Sequence, residues 1–165
     1  VQPGEVVVNM FAGAGSYSII IAKHSRASKV YSIDLNPDAV GYMVENIGLN
    51  RVENRVVAIQ GDAKDVISEN LRGVAHRVLM PLPERAYEYL DYALLGLHPE
   101  GGWIHYYAFE HAKRPENPIE KTENKVVEKL EGLNVNFDIP FHRIVRTTGP
   151  NWYQTVVDIR TRSKT

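Results

Sequence analysis

Three short stretches hold residue types that can grip a small ligand. Phe11-Ala12-Gly13-Ala14-Gly15 puts two glycines one residue apart, directly after an apolar run. Glycines between a strand and a helix let the backbone turn sharply and approach a ligand closely. The helix N-terminus behind them favours an anionic group such as a carboxylate. Asp34 ends a second apolar run about twenty residues on, where an acid can accept hydrogen bonds from both ribose hydroxyls of an adenosine. It can instead cap the helix that Asn36-Pro37-Asp38 opens. The ribose role is preferred, because strand end and glycine turn meet at one crevice. Asp62, in Gln60-Gly61-Asp62-Ala63, ends a third run. It can accept the exocyclic amine of adenine, cap the following helix, or do both. A dinucleotide fingerprint needs a third glycine where Ser18 stands. Acceptors and glycine turns at successive strand ends, with no Arg placed for a 2′-phosphate, suit S-adenosylmethionine better than a nicotinamide dinucleotide.

These residues act together only if the strands ending in them lie side by side. The pattern predicts strands over Glu5–Met10, Lys29–Asp34, Arg55–Gln60, His76–Met80 and Gly102–Phe109. It predicts helices over Ser16–His24, from Asn36-Pro37 to Asn50, over Lys64–Asn70 and over Pro83–Leu97. Ile19-Ile20-Ile21 alone favours a strand; the glycine turn before it makes that segment the first helix. Val40, Met43, Val44 and Ile47 give the second helix one apolar face. Ala86, Leu90, Ala93, Leu94 and Leu97 face inward on the fourth. Such alternation implies a parallel sheet wound on both faces, with right-handed crossovers. After Phe109 come a polar loop over His111–Ile119 and a charged helix over Glu120–Leu130. Strands over Val135–Val145 and Tyr153–Ile159 then predict a hairpin closing one sheet edge. The expected fold is a single α/β domain over residues 1–165: a doubly wound, mostly parallel sheet with a C-terminal antiparallel hairpin.

The chain has 165 residues, 44% hydrophobic and 24% charged, with net charge −1. That balance excludes a basic nucleic-acid coat protein and an acidic tail. Absence of cysteine excludes disulfides, thiolate zinc sites and a cysteine nucleophile. No apolar run is long enough for a membrane-spanning helix, and His24, His111 and His142 show no metal-ligand spacing. Residues 111–165 hold ten Lys and Arg against seven Asp and Glu, whereas the first 110 are acidic. The opening Val1-Gln2-Pro3-Gly4, with neither initiator Met nor signal peptide, reads as an excision from something longer.

Pro3–Lys23, Asp34–Asn50, Gly61-Asp62-Ala63, His76–Leu94 and Gly101–Tyr107 together resemble the catalytic core of the archaeal and eukaryotic tRNA (guanine-N1)-methyltransferases. Near relatives of that family transfer the aminocarboxypropyl group in wybutosine synthesis. The resemblance implies a class I, Rossmann-like S-adenosylmethionine-dependent methyltransferase fold. It implies methyl transfer to N1 of the guanine 3′ of the anticodon, a tRNA partner bound at its anticodon region, no metal, no membrane, a monomer and a cytoplasmic location. Carried onto this chain, the cofactor contacts are Phe11, Ala12, Gly13, Gly15, Asp34, Leu35, Asn36, Asp62, Ala63, Met80 and Pro81. The catalytic residues are Asp34, Pro81 and Arg77, with an ion pair as the other reading of Arg77. Three positions depart from the family pattern: Asn9 and His76, each where Asp is usual, and Pro81, where Asn is usual. Proline keeps a carbonyl but has no N–H and no amide side chain. The carbonyls of Met80 and Pro81 are then the expected acceptors for guanine N1–H and N2–H. The family's Glu base and a catalytic Arg fall before Val1, as does an RNA-binding region. A chain starting at Val1 is thus expected to bind cofactor and methylate poorly.

Tyr17 and Lys23 are expected to border the target pocket. His105, Tyr106 and Tyr107 either stack on the flipped base or pack in the core. Trp152 and Tyr153 are read as core. Rival readings are aminocarboxypropyl transfer, a small-molecule or protein methyltransferase, a non-catalytic cofactor- or RNA-binding module, and a nicotinamide oxidoreductase. Pro81-Leu82-Pro83-Glu84 lacks the aromatic expected of the second, and Ser18 disfavours the last.

Overall fold

Val7, Val8 and Asn9 have no exposed surface, and the strand they form lies inside the sheet with a parallel neighbour on each side. A computed structural model describes residues 1–163; the last two residues of the expected domain lie outside that range. The chain runs β1 (Val6–Asn9), α1 (Ser16–His24), β2 (Lys29–Asp34), α2 (Pro37–Asn50), β3 (Val56–Gln60), α3 (Ala63–Asn70), β4 (Arg77–Met80), α4 (Ala86–Gly96), β5 (Gly101–His111), α5 (Pro118–Gly132), β6 (Asn136–Gly149) and β7 (Trp152–Arg162). The strands form one sheet in the order β3-β2-β1-β4-β5-β7-β6. The first five are parallel, and β7 enters antiparallel between β5 and β6. This is the doubly wound sheet with a closing hairpin that the alternation implies. The order reverses beside β1, so the ends of β1 and β4 open a crevice there.

Local chemistry starts the helices. Asn36 and Asp62 accept the N–H of Asp38 and Lys64, capping α2 and α3, and Pro37 takes the first helical position. Asn117 and Pro118 do the same for α5, which starts before the expected Glu120. Met43 and Ile47 of α2 join Ile19 and Ala22 of α1 over one sheet face. Ile67, Leu90 and Leu130 of α3, α4 and α5 join Ile104 and Ile159 over the other.

Several expectations need correction. α4 begins at Ala86, not Pro83, because the Leu82 carbonyl accepts from both Arg85 and Ala86 and closes a turn first. Val44 is 57% exposed: α2 buries a stripe only Met43 and Ile47 wide. Trp152 is also exposed; it starts β7 at the hairpin tip and lies against His111 rather than the core. β6 is longer than expected and exposed over most of its length, an edge position that tolerates Pro140. Among the described residues no helix is long and apolar enough to cross a membrane.

Candidate functional site

The glycine turn and the end of β2 are tied together by one carboxylate. Gly13 N–H donates to Asp34 Oδ2 (2.7 Å), and Asn36 N–H donates to Asp34 Oδ1 (2.9 Å). Each oxygen therefore spends one lone pair on the backbone and keeps another for a ligand hydroxyl. Gly13 lies at φ 54°, and nothing stands within 4 Å of where a Cβ would be. Its neighbour serves packing instead: a Cβ on Gly15, at φ 87°, would meet Met43 Cγ at 2.8 Å.

These groups border a cavity of about 370 Å³, within the usual size of a small-molecule site. Phe11 and Gly13 line it from the first turn, Asp34 and Leu35 from the second, Asp62 and Ala63 from the third, and Pro81 from the fourth. Ala12 and Met80 have buried side chains and can reach a ligand only through backbone, and Asn36 spends its side chain on the cap.

Asp62 does two jobs at once. It caps α3 through Lys64 N–H (3.1 Å) and accepts the Tyr89 hydroxyl at 2.9 and 3.0 Å. Burial and the Asp62 carboxylate raise the Tyr89 pKa, so the phenol stays a donor. Tyr89 also meets Phe11 edge-on with centroids 5.2 Å apart, and Arg85 lies over its ring. Gly61, Leu82, Arg85 and Tyr89 line the cavity without having been singled out in the sequence. Tyr89 had a signal: it falls on the apolar face of α4 with Ala86 and Ala93.

A second cavity, about 240 Å³, adjoins the first across Pro81. Tyr17, Leu79, His105 and Tyr107 line it, with Arg77 at one side. Arg77 is almost buried. Its Nε and Nη2 donate to the Glu5 carboxylate (3.0 and 3.2 Å), and its Nη1 donates to His105 Nε2 (2.6 Å). A guanidinium can only donate, so His105 carries its proton on Nδ1, which faces Asp158 Oδ1 at 2.6 Å. The ion-pair reading of Arg77 is thus present in the geometry. Burial raises the Glu5 pKa, but the Arg77 hydrogen bond, the Gln2 N–H and the Arg77 charge outweigh it and hold the carboxyl below its ordinary value. Burial, then the neighbouring Tyr17, pushes Tyr107 up to about 12. Tyr106 points the other way, into the core, and Lys23 is not at this cavity: it donates to Asn50 on the far side of α1.

Asn9 lies beneath the glycine turn. Its Nδ2 donates to Ser18 Oγ (3.1 Å), to which Ser32 Oγ also donates (2.7 Å). All three are fully buried, and Asn9 Oδ1 has no partner among the described residues. An amide here keeps the cluster uncharged in a place where a carboxylate would need a counter-ion. His76 is at the opposite end of the sheet, where its Nδ1 accepts Val6 N–H.

Residues 1–135 match the model of the TRM5/TYW2 methyltransferase domain. The tRNA (guanine(37)-N(1))-methyltransferase Trm5b of Pyrococcus abyssi is 38% identical over 160 residues, 96% of this chain and 44% of that protein. A tRNA(Phe) (4-demethylwyosine(37)-C(7)) aminocarboxypropyltransferase of Methanocaldococcus jannaschii is 36% identical over 94% of this chain and 59% of its own length. The crystal structure of P. horikoshii TYW2 in complex with MeSAdo superposes with a TM-score of 0.89 at 28% identity, covering 99% of this chain and 59% of that one. The chain spans about half the length of the curated relatives it matches.

Proposed function

The chain belongs to the TRM5/TYW2 methyltransferase family, and on that premise we propose that it methylates N1 of the guanine 3′ of the anticodon in tRNA, using S-adenosylmethionine. The observation carrying the reading is the Asp34 carboxylate, locked by two backbone N–H groups at the mouth of a cavity that a second acid, Asp62, also borders.

S-adenosylmethionine fits these residues and supplies a methyl group made electrophilic by a sulfonium. Asp34 accepts its ribose hydroxyls with the lone pairs the backbone leaves free. Asp62, steadied by Tyr89, accepts the adenine amine, and Phe11 and Ala63 border that end of the cavity. Gly13 leaves room for close approach, and Leu35 covers the adenosine from the β2 side.

The target base has to leave its stack to reach the crevice. Pro81 borders both cavities, so a base in the second lies next to a cofactor in the first. The Met80 and Pro81 carbonyls accept guanine N1–H and N2–H. Arg77 keeps two of its five N–H donors beyond those given to Glu5 and His105, and these suit a guanine oxygen. The N1 proton has to leave as the new N–C bond forms and the methyl–sulfur bond breaks, a displacement that would leave the sulfur as a neutral thioether. A base outside this cavity has to take it, since the lone pairs Asp34 has left are given to the ribose hydroxyls. Alignment of nucleophile and methyl supplies the rest of the rate.

Aminocarboxypropyl transfer is the second reading, favoured by the M. jannaschii relative and by Pro81, which has no amide to hold guanine. Incubation of S-adenosylmethionine with unmodified tRNA and, in parallel, with tRNA carrying 4-demethylwyosine, then nucleoside mass spectrometry, separates the two. A gain of one CH₂ on guanosine supports methylation. A gain of the larger aminocarboxypropyl group overturns it in favour of the second reading.

A further inference from the structure

Beyond Tyr107 one face of the sheet is open. α4 and α5 pack their apolar residues on the opposite face of β5, β7 and β6. The register places Tyr107 and Phe109 of β5, Trp152 of β7, and Phe141, Arg143 and Arg146 of β6 on the open side. Phe141 is 49% exposed and Trp152 46%. Neither Arg143 nor Arg146 meets a carboxylate among the described residues; Arg146 Nε donates to Gln154 Oε1 (2.8 Å). The acids on this side are already engaged, Asp158 with His105 and Asp138 with Arg162.

We propose that this face holds the unpaired nucleotides flanking the reacting base, with bases stacked on Phe141 and Trp152 and phosphates opposite Arg143 and Arg146. The proposal rests on the reading of the chain as a tRNA-modifying enzyme. Two guanidinium groups without counter-ions complement a polyanion. Exposed aromatic rings complement unstacked bases and offer nothing to a duplex, whose bases are already stacked. The face is continuous with the site: Tyr107 lines the second cavity, and that cavity meets the cofactor crevice at Pro81. A strand laid along it therefore delivers one base toward the crevice while its neighbours stay on the sheet.

The test is fluorescence anisotropy of the whole chain with a labelled unpaired RNA heptamer, with an RNA duplex as competitor. R143A/R146A should weaken heptamer binding about tenfold and lower the salt slope by about 1.4, since each single-strand phosphate contact contributes about 0.7. F141A/W152A should weaken it about tenfold with the salt slope unchanged. Calorimetric affinity for S-adenosylmethionine and the thermal midpoint should stay at wild-type values in both variants, which reports intact folding. Unchanged heptamer affinity in both variants overturns the proposal, as does a duplex that competes as well as the single strand. If the wild type still modifies tRNA in those cases, the functional reading survives. If the wild type neither binds RNA nor modifies tRNA, both fail. Self-association that W152A abolishes, with heptamer binding unaltered, assigns the face to a second copy and overturns the proposal.

Discussion

Alanine at Gly13 and alanine at Gly15 should fail in different ways. At Gly15 the backbone is left-handed (φ 87°), and a Cβ would stand 2.8 Å from Met43 Cγ and 3.5 Å from Ile19 Cδ1. Met43 has no exposed surface, so it has little room to give way. The left-handed conformation costs alanine about 1–2 kcal/mol. Crowding a packed side chain adds about 1–3 kcal/mol. The sum, about 2–5 kcal/mol, is a large part of the ~5–15 kcal/mol that holds a domain folded. At Gly13 the backbone is also left-handed (φ 54°), but nothing stands within 4 Å of the Cβ position. The conformational cost of about 1–2 kcal/mol remains and the crowding does not. Because Gly13 lines the cavity, the added methyl competes with bound cofactor, and each 1.4 kcal/mol of lost contact is about tenfold in Kd. Urea denaturation and calorimetry with S-adenosylmethionine measure the two quantities separately. Gly15→Ala should lose much more stability than Gly13→Ala while the folded fraction binds cofactor within about threefold of wild type. Gly13→Ala should bind at least about tenfold more weakly. Equal stability losses, or wild-type affinity in Gly13→Ala, would refute the division of labour between the glycines.

Asp34→Asn keeps one oxygen but turns an amide NH₂ toward either Gly13 N–H or Asn36 N–H; losing a charged acceptor of about 1.5–3 kcal/mol should weaken cofactor binding about 10- to 100-fold by calorimetry. An unaltered Kd contradicts the role given to Asp34. Glu5→Gln leaves the Arg77 charge, its side chain 10% exposed, without its counter-ion and should cost about 3–5 kcal/mol in urea denaturation. Because the Glu5 carboxyl is held below its ordinary value, its stabilisation is present above that value and fades as pH falls through the lowered one. The acid limb of a stability–pH curve should be flatter in Glu5→Gln, and an identical limb sinks the assignment. At the alkaline end, Tyr107 ionises only near about 12 when folded and near 10 when unfolded, so stability is intact below 10 and lost as pH climbs between the two. Tyr107→Phe should show a shallower alkaline loss in the same assay; an equally steep loss assigns the effect to other groups.

Asp34 and Asp62 are legible in the sequence because each stands where a short strand ends just ahead of a helix, a wholly local signal. Tyr89 is legible only as an inward residue of α4. That it meets Asp62 depends on β4 pairing with β1, which brings α4 against α3. The environment of Arg77 is set by Glu5, 72 residues away in sequence, and by His105 on the adjacent strand. Nothing near Arg77 in the chain records that. Lys23 lies away from its expected place because its distance from the glycine turn says nothing about direction: along α1 it rotates away from Tyr17, toward Asn50. Side-chain facing along the first five strands follows from apolar runs, whereas the open side of β6 and β7 mixes aromatics with arginines and has no simple period.

The insertion of β7 between β5 and β6 also dictates when the molecule can finish folding. β5 reaches the end of its pairing with β4 at Tyr106, yet its other edge, eleven residues long, waits for a strand that begins only at Trp152. During synthesis the ribosome therefore extrudes the five parallel strands first and leaves β5 as a bare, adhesive rim. β6 cannot cover it, since β6 bonds only to β7. The last strand is the keystone, and a stall before it emerges would hold the nascent chain in its most aggregation-prone state.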